Sequence, residues 1–102
     1  MTDLKSLTKK IVKFRNERGW EKKDKDHPKN MAIALLLEAV ELLELFQWTK
    51  NNKIPKNKIK EFEEELIDVL YWVLLIAHDF KIDLKKVFER KIKKNRTKYP
   101  VK

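Results

Sequence analysis

MAIALLLEAVELLELF, residues 31–46, is almost unbrokenly apolar, and its only charges are Glu38, Glu41 and Glu44, set three residues apart. A second run, EEELIDVLYWVLLIA at 63–77, repeats the pattern: from Leu66 to Ala77 there is a single charge, Asp68, and Glu65 precedes it by one turn. An ionised carboxylate in a helical core is costly unless a cation compensates it. Two such pairs on neighbouring helices therefore point to a bound divalent metal.

Side chains three apart on a helix are separated by about 60° around its axis, so Glu38 and Glu41 leave one face together, as do Glu65 and Asp68. On a helical wheel Glu38 lies between Leu42 and Leu45, and Asp68 between Trp72 and Leu75, so neither faces a polar side. With the two helices antiparallel, the pairs face each other and offer four carboxylates to one or two ions. Oxygen-only ligation favours Mg²⁺, with Mn²⁺ as a substitute, over zinc or copper, and Mg²⁺ commonly shares its shell with substrate phosphates. Glu61, on the same face as Asp68, is a reserve ligand, whereas Glu44, Glu63 and Glu64 read as solvated helix surface. A di-iron site is disfavoured because neither histidine follows a glutamate by three.

Working outward, Leu4, Leu7, Ile11 and Phe14 predict a first helix over about Leu4–Arg18, ended by Gly19. The polar stretch Glu21–Asp26 leads to His27 and Pro28, which open a second helix continuing to Trp48. Asn51, Asn52 and Pro55 make a short connection that sets the third helix antiparallel to the second, reaching about Phe80. Asp83 caps a fourth helix whose Leu84, Val87, Phe88 and Ile92 form one apolar stripe before Pro100. His78 reads as an ordinary helix residue, whereas His27, in the loop, is open to a substrate role.

The totals agree with an all-α chain: one Gly and three Pro in 102 residues, 40% charged and 42% hydrophobic, the balance of a helical bundle. The expectation is a single domain over 1–102, an antiparallel four-helix bundle-type subunit small enough to gain from assembling as a dimer or dimer of dimers. No cysteine is present, which excludes disulfides and thiolate chemistry. No apolar segment follows Met1 as in a signal peptide, and the apolar runs carry acids, so a cytoplasmic protein without membrane contact is expected. The net charge of +9, concentrated from Lys85 onward, suits a polyanionic partner.

EAVELLELFQW followed by EELIDVLYWVLLIAH, with ERGW upstream and NRTKYP near the end, resembles the MazG-like all-α nucleotide pyrophosphohydrolases, and within them the single-domain dCTP pyrophosphatase branch. The similarity spans Phe14 to Pro100. The family signature Glu-x-x-Glu, gap, Glu-x-x-Asp falls on Glu38, Glu41, Glu65 and Asp68. The resemblance implies Mg²⁺-dependent cleavage of a nucleoside triphosphate, dCTP or a modified pyrimidine deoxynucleotide, between the α and β phosphates, releasing monophosphate and pyrophosphate. It makes these four acids the metal ligands, with Glu38 or Glu41 as the catalytic base. It further implies a homodimer or homotetramer with the site at a subunit boundary.

By the same resemblance Trp20, Trp48 and Trp72 surround the base, His27 and Asn30 help to recognise it, and Lys91, Asn95 and Lys98, bordered by Arg96 and Tyr99, hold the outer phosphates. The spacing of Lys91, Asn95 and Lys98 independently puts them on one helix face. In the dCTP branch the loop after the tryptophan is shorter, and its histidine stands one residue from the proline; here His27 adjoins Pro28 directly. A rival reading is a non-catalytic basic helical protein that binds nucleic acid through its C-terminal helix. It explains the charge but not the acids embedded in the two most apolar helices.

Overall fold

A computed structural model describes residues 3–20, 27–49 and 53–102. Four α-helices follow in order: α1 (Leu4–Glu17), α2 (His27–Glu44), α3 (Ile59–Asp79) and α4 (Leu84–Lys98), with a 3₁₀ turn at Lys56–Lys58 leading into α3. There is no strand among the described residues, so the all-α expectation holds. The expected connections Glu21–Asp26 and Asn51–Asn52 lie outside the described residues.

Local chemistry sets most of the helix ends. The Asp3 carboxylate accepts the Ser6 backbone N–H at 2.8 Å and starts α1, and Asp83 does the same for α4 through Lys86 at 3.2 Å, each satisfying a donor that the first turn leaves unpaired. At its far end α1 closes with Gly19 at φ +68°: Gly19 N–H donates to the Asn16 carbonyl at 3.1 Å and Trp20 N–H to the Arg15 carbonyl at 3.2 Å. This is the Schellman arrangement, with Trp20 brought back onto the helix it has just left. The end of α3 repeats it with a lysine in the glycine position, Lys81 at φ +56°, while Ile82 N–H donates to the Ala77 carbonyl at 2.8 Å.

One boundary departs from the sequence expectation. α2 stops at Glu44, not at Trp48, and residues 45–48 form a tighter turn in which Leu45, Phe46 and Gln47 N–H groups bond three residues back, to Leu42, Leu43 and Glu44. The apolar pattern runs on through Leu45 and Phe46 because Phe46 still packs, edge to face on Phe62 at 6.0 Å, although the backbone has left the α-helix. Sequence periodicity records the packing, not the change of hydrogen-bond partner.

α3 is the central element, packed against α2 along its length and against α1 on another side. Leu74, Leu75 and Ala77 of α3 and Met31 of α2 are fully buried between them. The antiparallel register is the same at both ends of the pair, since Glu38 meets Asp68 and, eleven residues away on each helix, His27 meets Asp79. Arg15 of α1 reaches that same Asp79 with a bidentate ion pair at 2.9 and 3.0 Å. α4, in contrast, packs closely on none of the other helices, so the expected four-helix bundle is a three-helix packing with the fourth helix standing off it. Leu84, Val87 and Ile92 of its stripe are half-buried and Phe88 is 65% exposed, and α2 and α3 also present uncovered apolar side chains, Leu36, Leu43 and Ile67 among them. Among the described residues no helix is long and apolar enough to cross a membrane.

The two Schellman turns give a paired expectation of opposite sign. Gly19→Ala should destabilise the chain by about 1 kcal/mol and Lys81→Gly should stabilise it by about the same, because a Cβ is disfavoured at positive φ. Urea unfolding midpoints measure both, and equal signs would refute the account.

Candidate functional site

Halfway along the α2–α3 seam, Glu38, Glu65 and Asp68 each bring a carboxylate oxygen within 4.8 Å of the others. Glu38 and Glu65 are half-buried and Asp68 is exposed. One oxygen of Glu38 (Oε2) and one of Glu65 (Oε2) are buried with no hydrogen-bond partner, a state that costs free energy in an apolar seam. Two orphaned oxygens converging from facing helices, with an all-oxygen donor set, fit a hard divalent cation and nothing softer. Glu41 is exposed and stands outside this trio, yet its charge bears on both Glu38 and Glu65. The two expected pairs therefore meet, three acids in one cluster and the fourth beside it.

The electrostatics follow from that crowding. Burial, then the adjoining Glu38 carboxyl and the charge of Glu41, push the Glu65 carboxyl up to about 7. Glu38 is raised by burial as well, with the charges of Glu41 and Asp68 adding to the effect and the contact with Glu65 opposing it. Like-charged carboxyls in one seam cannot all ionise cheaply without a cation.

Two cavities open on the cluster, and Asp68 lines both. The first, of about 510 Å³, is walled by Phe14, Trp20, Tyr71 and Trp72 and reaches Glu38 and Asp68. Its rings hold one another edge to face: Phe14 on Trp20 at 5.9 Å, Phe14 on Tyr71 at 6.4 Å, Tyr71 on Trp72 at 5.1 Å. The second, of about 630 Å³, is bordered by Glu41, Glu65, Asp68 and Trp48, with Glu61 also on its wall. Trp48 is 87% exposed there, and Lys58 bonds Glu61 at 3.5 Å. A flat aromatic group on one side and a charged chain on the other would meet at the acids.

Other sequence candidates lie elsewhere. His27 Nε2 is 3.4 Å from Asp79 Oδ2, and Asn30 is exposed one turn on; both sit near the start of α2, with His27 about 16 Å along the helix from Glu38 at 1.5 Å per residue. Lys91, Asn95, Arg96 and Lys98 are on α4 and Tyr99 caps it, and none of them lines either cavity. The sequence reading passed over Arg15 and Tyr71. The signal for both was present: Arg15 follows Ile11 by four on the apolar face of α1, and Tyr71 follows Asp68 by three.

Comparison with known proteins adds to this geometry. The sequence profile of the MazG-like family matches residues 33–102. The chain is 33% identical to dCTP pyrophosphatase 1 of Mus musculus over 96% of its own length and 59% of that protein's, and 32% identical to dCTP pyrophosphatase 1 of Homo sapiens over 95% and 59%. It thus spans about three fifths of the curated relatives it matches. A crystal structure of a pyrophosphatase from Archaeoglobus fulgidus superimposes with a TM-score of 0.86 at 34% identity, covering 99% of this chain and 95% of that one.

The raised Glu65 carboxyl makes cation binding pH-dependent. Its folded value, about 7, lies above the ordinary 4.5, so the cation-free fold loses stability as pH rises between these values, and a cation that binds the ionised form restores it. Saturating Mn²⁺ should therefore raise the melting temperature little at pH 5 and progressively more up to pH 8. A Mn²⁺ shift independent of pH over that range would contradict the assignment.

Proposed function

The chain belongs to the MazG-like family, and from that membership we propose that it is a Mg²⁺-dependent pyrophosphohydrolase of nucleoside triphosphates, cutting between the α and β phosphates. The observation that carries the reading is the junction of the three converging carboxylates with an aromatic cavity on one side and an open polar one on the other. The names of the relatives, dCTP pyrophosphatases and a pyrophosphatase, favour a deoxycytidine or modified pyrimidine triphosphate.

Glu38, Glu65 and Asp68 would hold the cation, with Glu41 completing its surroundings. When bound, the cation supplies charge neutralisation for the triphosphate and polarises a phosphoryl oxygen. The protein's own part is to orient and to move a proton. Trp20 and Trp72, with Phe14 and Tyr71, hold the base between aromatic faces, and Trp48 closes the other side. Glu41 is the better candidate for the base of the two considered, since it is exposed and outside the trio. It takes the proton from the water that attacks the α-phosphorus; the bond from that phosphorus to the bridging oxygen breaks, and pyrophosphate leaves with the electron pair.

The outer phosphates need cations, and the cavity that would receive them is lined mainly by acids. Lys91, Asn95 and Lys98, with Arg96 and Tyr99, are the residues for this task. α4 carries them away from its own subunit's acids, so a second copy would supply them, in a homodimer or a pair of homodimers. The uncovered apolar side chains of α2, α3 and α4 give the apolar surface for that assembly.

Pyrophosphate release from a panel of triphosphates, with Mg²⁺ and with chelator, tests the first claim. Glu41→Gln should lower kcat by about 10²-fold or more, the scale of a lost general base, while leaving the melting temperature within about 2 °C. No release from any triphosphate would sink the reading and turn attention to nucleic-acid binding by α4. A mixture of two inactive variants, Glu41→Gln and Lys91→Ala, tests the second: if α4 acts in the partner's site, mixed dimers regain activity that neither parent has, and no recovery on mixing and refolding means that each chain serves its own site.

A further inference from the structure

Arg15 is the one charged residue buried as a whole among the described residues. Its Nη1 donates to both oxygens of Asp79, at 3.0 and 2.9 Å, and His27 Nε2 stands 3.4 Å from the same Oδ2. A single carboxylate, its side chain 4% exposed, thus joins the last turn of α1, the first residue of α2 and the last residue of α3. We propose that this clasp is a positioning device for the aromatic cavity: the Arg15–Asp79 pair sets the stance of Phe14 and Trp20 over the acid cluster, and so governs how tightly the base of a nucleotide is held. The proposal rests on the pyrophosphohydrolase reading of the site.

Three observations connect the clasp to the cavity. The backbone links the two: the Trp20 N–H donates to the Arg15 carbonyl at 3.2 Å, so a shift of the Arg15 backbone carries Trp20 with it. The residue before Arg15, Phe14, is the ring that touches both Trp20 and Tyr71. Tyr71, whose phenol is raised by burial against the opposing charges of Arg15 and Arg18, stands edge to face with Trp72 in the cavity wall.

The apolar contacts of α1 are partial: Leu7, Ile11 and Val12 are half-buried, while Leu4 and Phe14 are 45% and 43% exposed, so the ion pair adds a directional constraint to the one that burial supplies. One guanidinium nitrogen, Nη1, lies within hydrogen-bond reach of both oxygens of the carboxylate, and the planar group that carries it, buried with the rest of the side chain, has few orientations open to it. A buried ion pair is weak evidence for stability as such, and its better-attested use is to specify one geometry among several. The clasp lies about 16 Å from the acids, eleven residues along both α2 and α3. It can act on the base wall without touching the cation ligands.

The test uses the full chain labelled with 5-fluorotryptophan, the Trp20 resonance being assigned with Trp20→Phe. Arg15→Lys keeps the charge and replaces the planar guanidinium with a compact ammonium; Arg15→Gln combined with Asp79→Asn removes both charges of the pair. In either variant the Trp20 fluorine resonance should move, KM for the best triphosphate should rise about tenfold, a fraction of the loss that a misplaced group of about 1 Å can cause, kcat should stay within twofold, and Mn²⁺ affinity by calorimetry should not change. An unmoved Trp20 resonance with unchanged KM overturns the proposal, as does Mn²⁺ affinity that falls in step with KM, which would mean general loosening. If Arg15→Lys does not fold, the double variant yields the same readouts. If the wild type hydrolyses no triphosphate, the parent reading fails, and the Trp20 resonance still decides whether the clasp sets the cavity wall.

Discussion

Carboxylates that face one another across an apolar seam constrain the rest of this structure. Leu74, Leu75 and Met31 make α2 and α3 a tight pair, and tight packing alone would exclude charge from between them. Glu38 and Glu65 nevertheless enter the seam, each with an oxygen that no protein donor meets. Protonation of Glu65, raised to about 7, relieves part of this defect, and a bound cation would relieve more of it, because each unpaired buried carboxylate otherwise works against the packing that holds it there. The same defect is what makes the site chemically capable: an acid whose proton leaves near neutrality changes charge readily when a cation or a substrate arrives.

The acids are fixed by the centres of two long helices, whereas the aromatic wall depends on the end of a third. α1 lines the aromatic cavity with Lys10, Ile11 and Phe14. Gly19 allows the backbone to reverse at positive φ, and the reversal delivers Trp20 onto Phe14. On the proposed function, the helix core would supply the cation's ligands and a capping motif a partner for the base. Such an arrangement would separate two tasks, cation binding and base selection, onto elements that respond to different substitutions.

Much of this was legible in the sequence, and the reason is that apolar background makes charge conspicuous. Glu38, Glu65 and Asp68 stood out because their neighbours are Leu, Ile and Val, and the structure brings them together. Asp83 and Gly19 were legible as helix punctuation. The pairing of Arg15 with Asp79 was not, since the two are 64 residues apart, although the place of Arg15 on the apolar face of α1 was. His27 pointed to substrate by its place beside a proline in a loop, while its ring nitrogen is taken up by Asp79. The end of α2 was misjudged because Leu45 and Phe46 continue the apolar pattern after the helix has stopped. The contacts of Arg15 and His27 with Asp79 are made across the fold, for which local periodicity carries no information, whereas the end of α2 is a local change of hydrogen-bond partner.

The distribution of charge completes the argument. The acids gather on α2 and α3, while the C-terminal helix gathers lysines and arginines, and within one subunit the two groups are not brought together. Neither grouping is comfortable alone: the acid-lined cavity repels a polyphosphate, and α4 pairs a basic surface with an open Phe88. On the proposed function, a triphosphate with its cation would reconcile them, meeting carboxylates through the metal and lysines through its outer oxygens. The net charge of +9 is unevenly placed, its surplus lying on a helix that packs closely on none of the others.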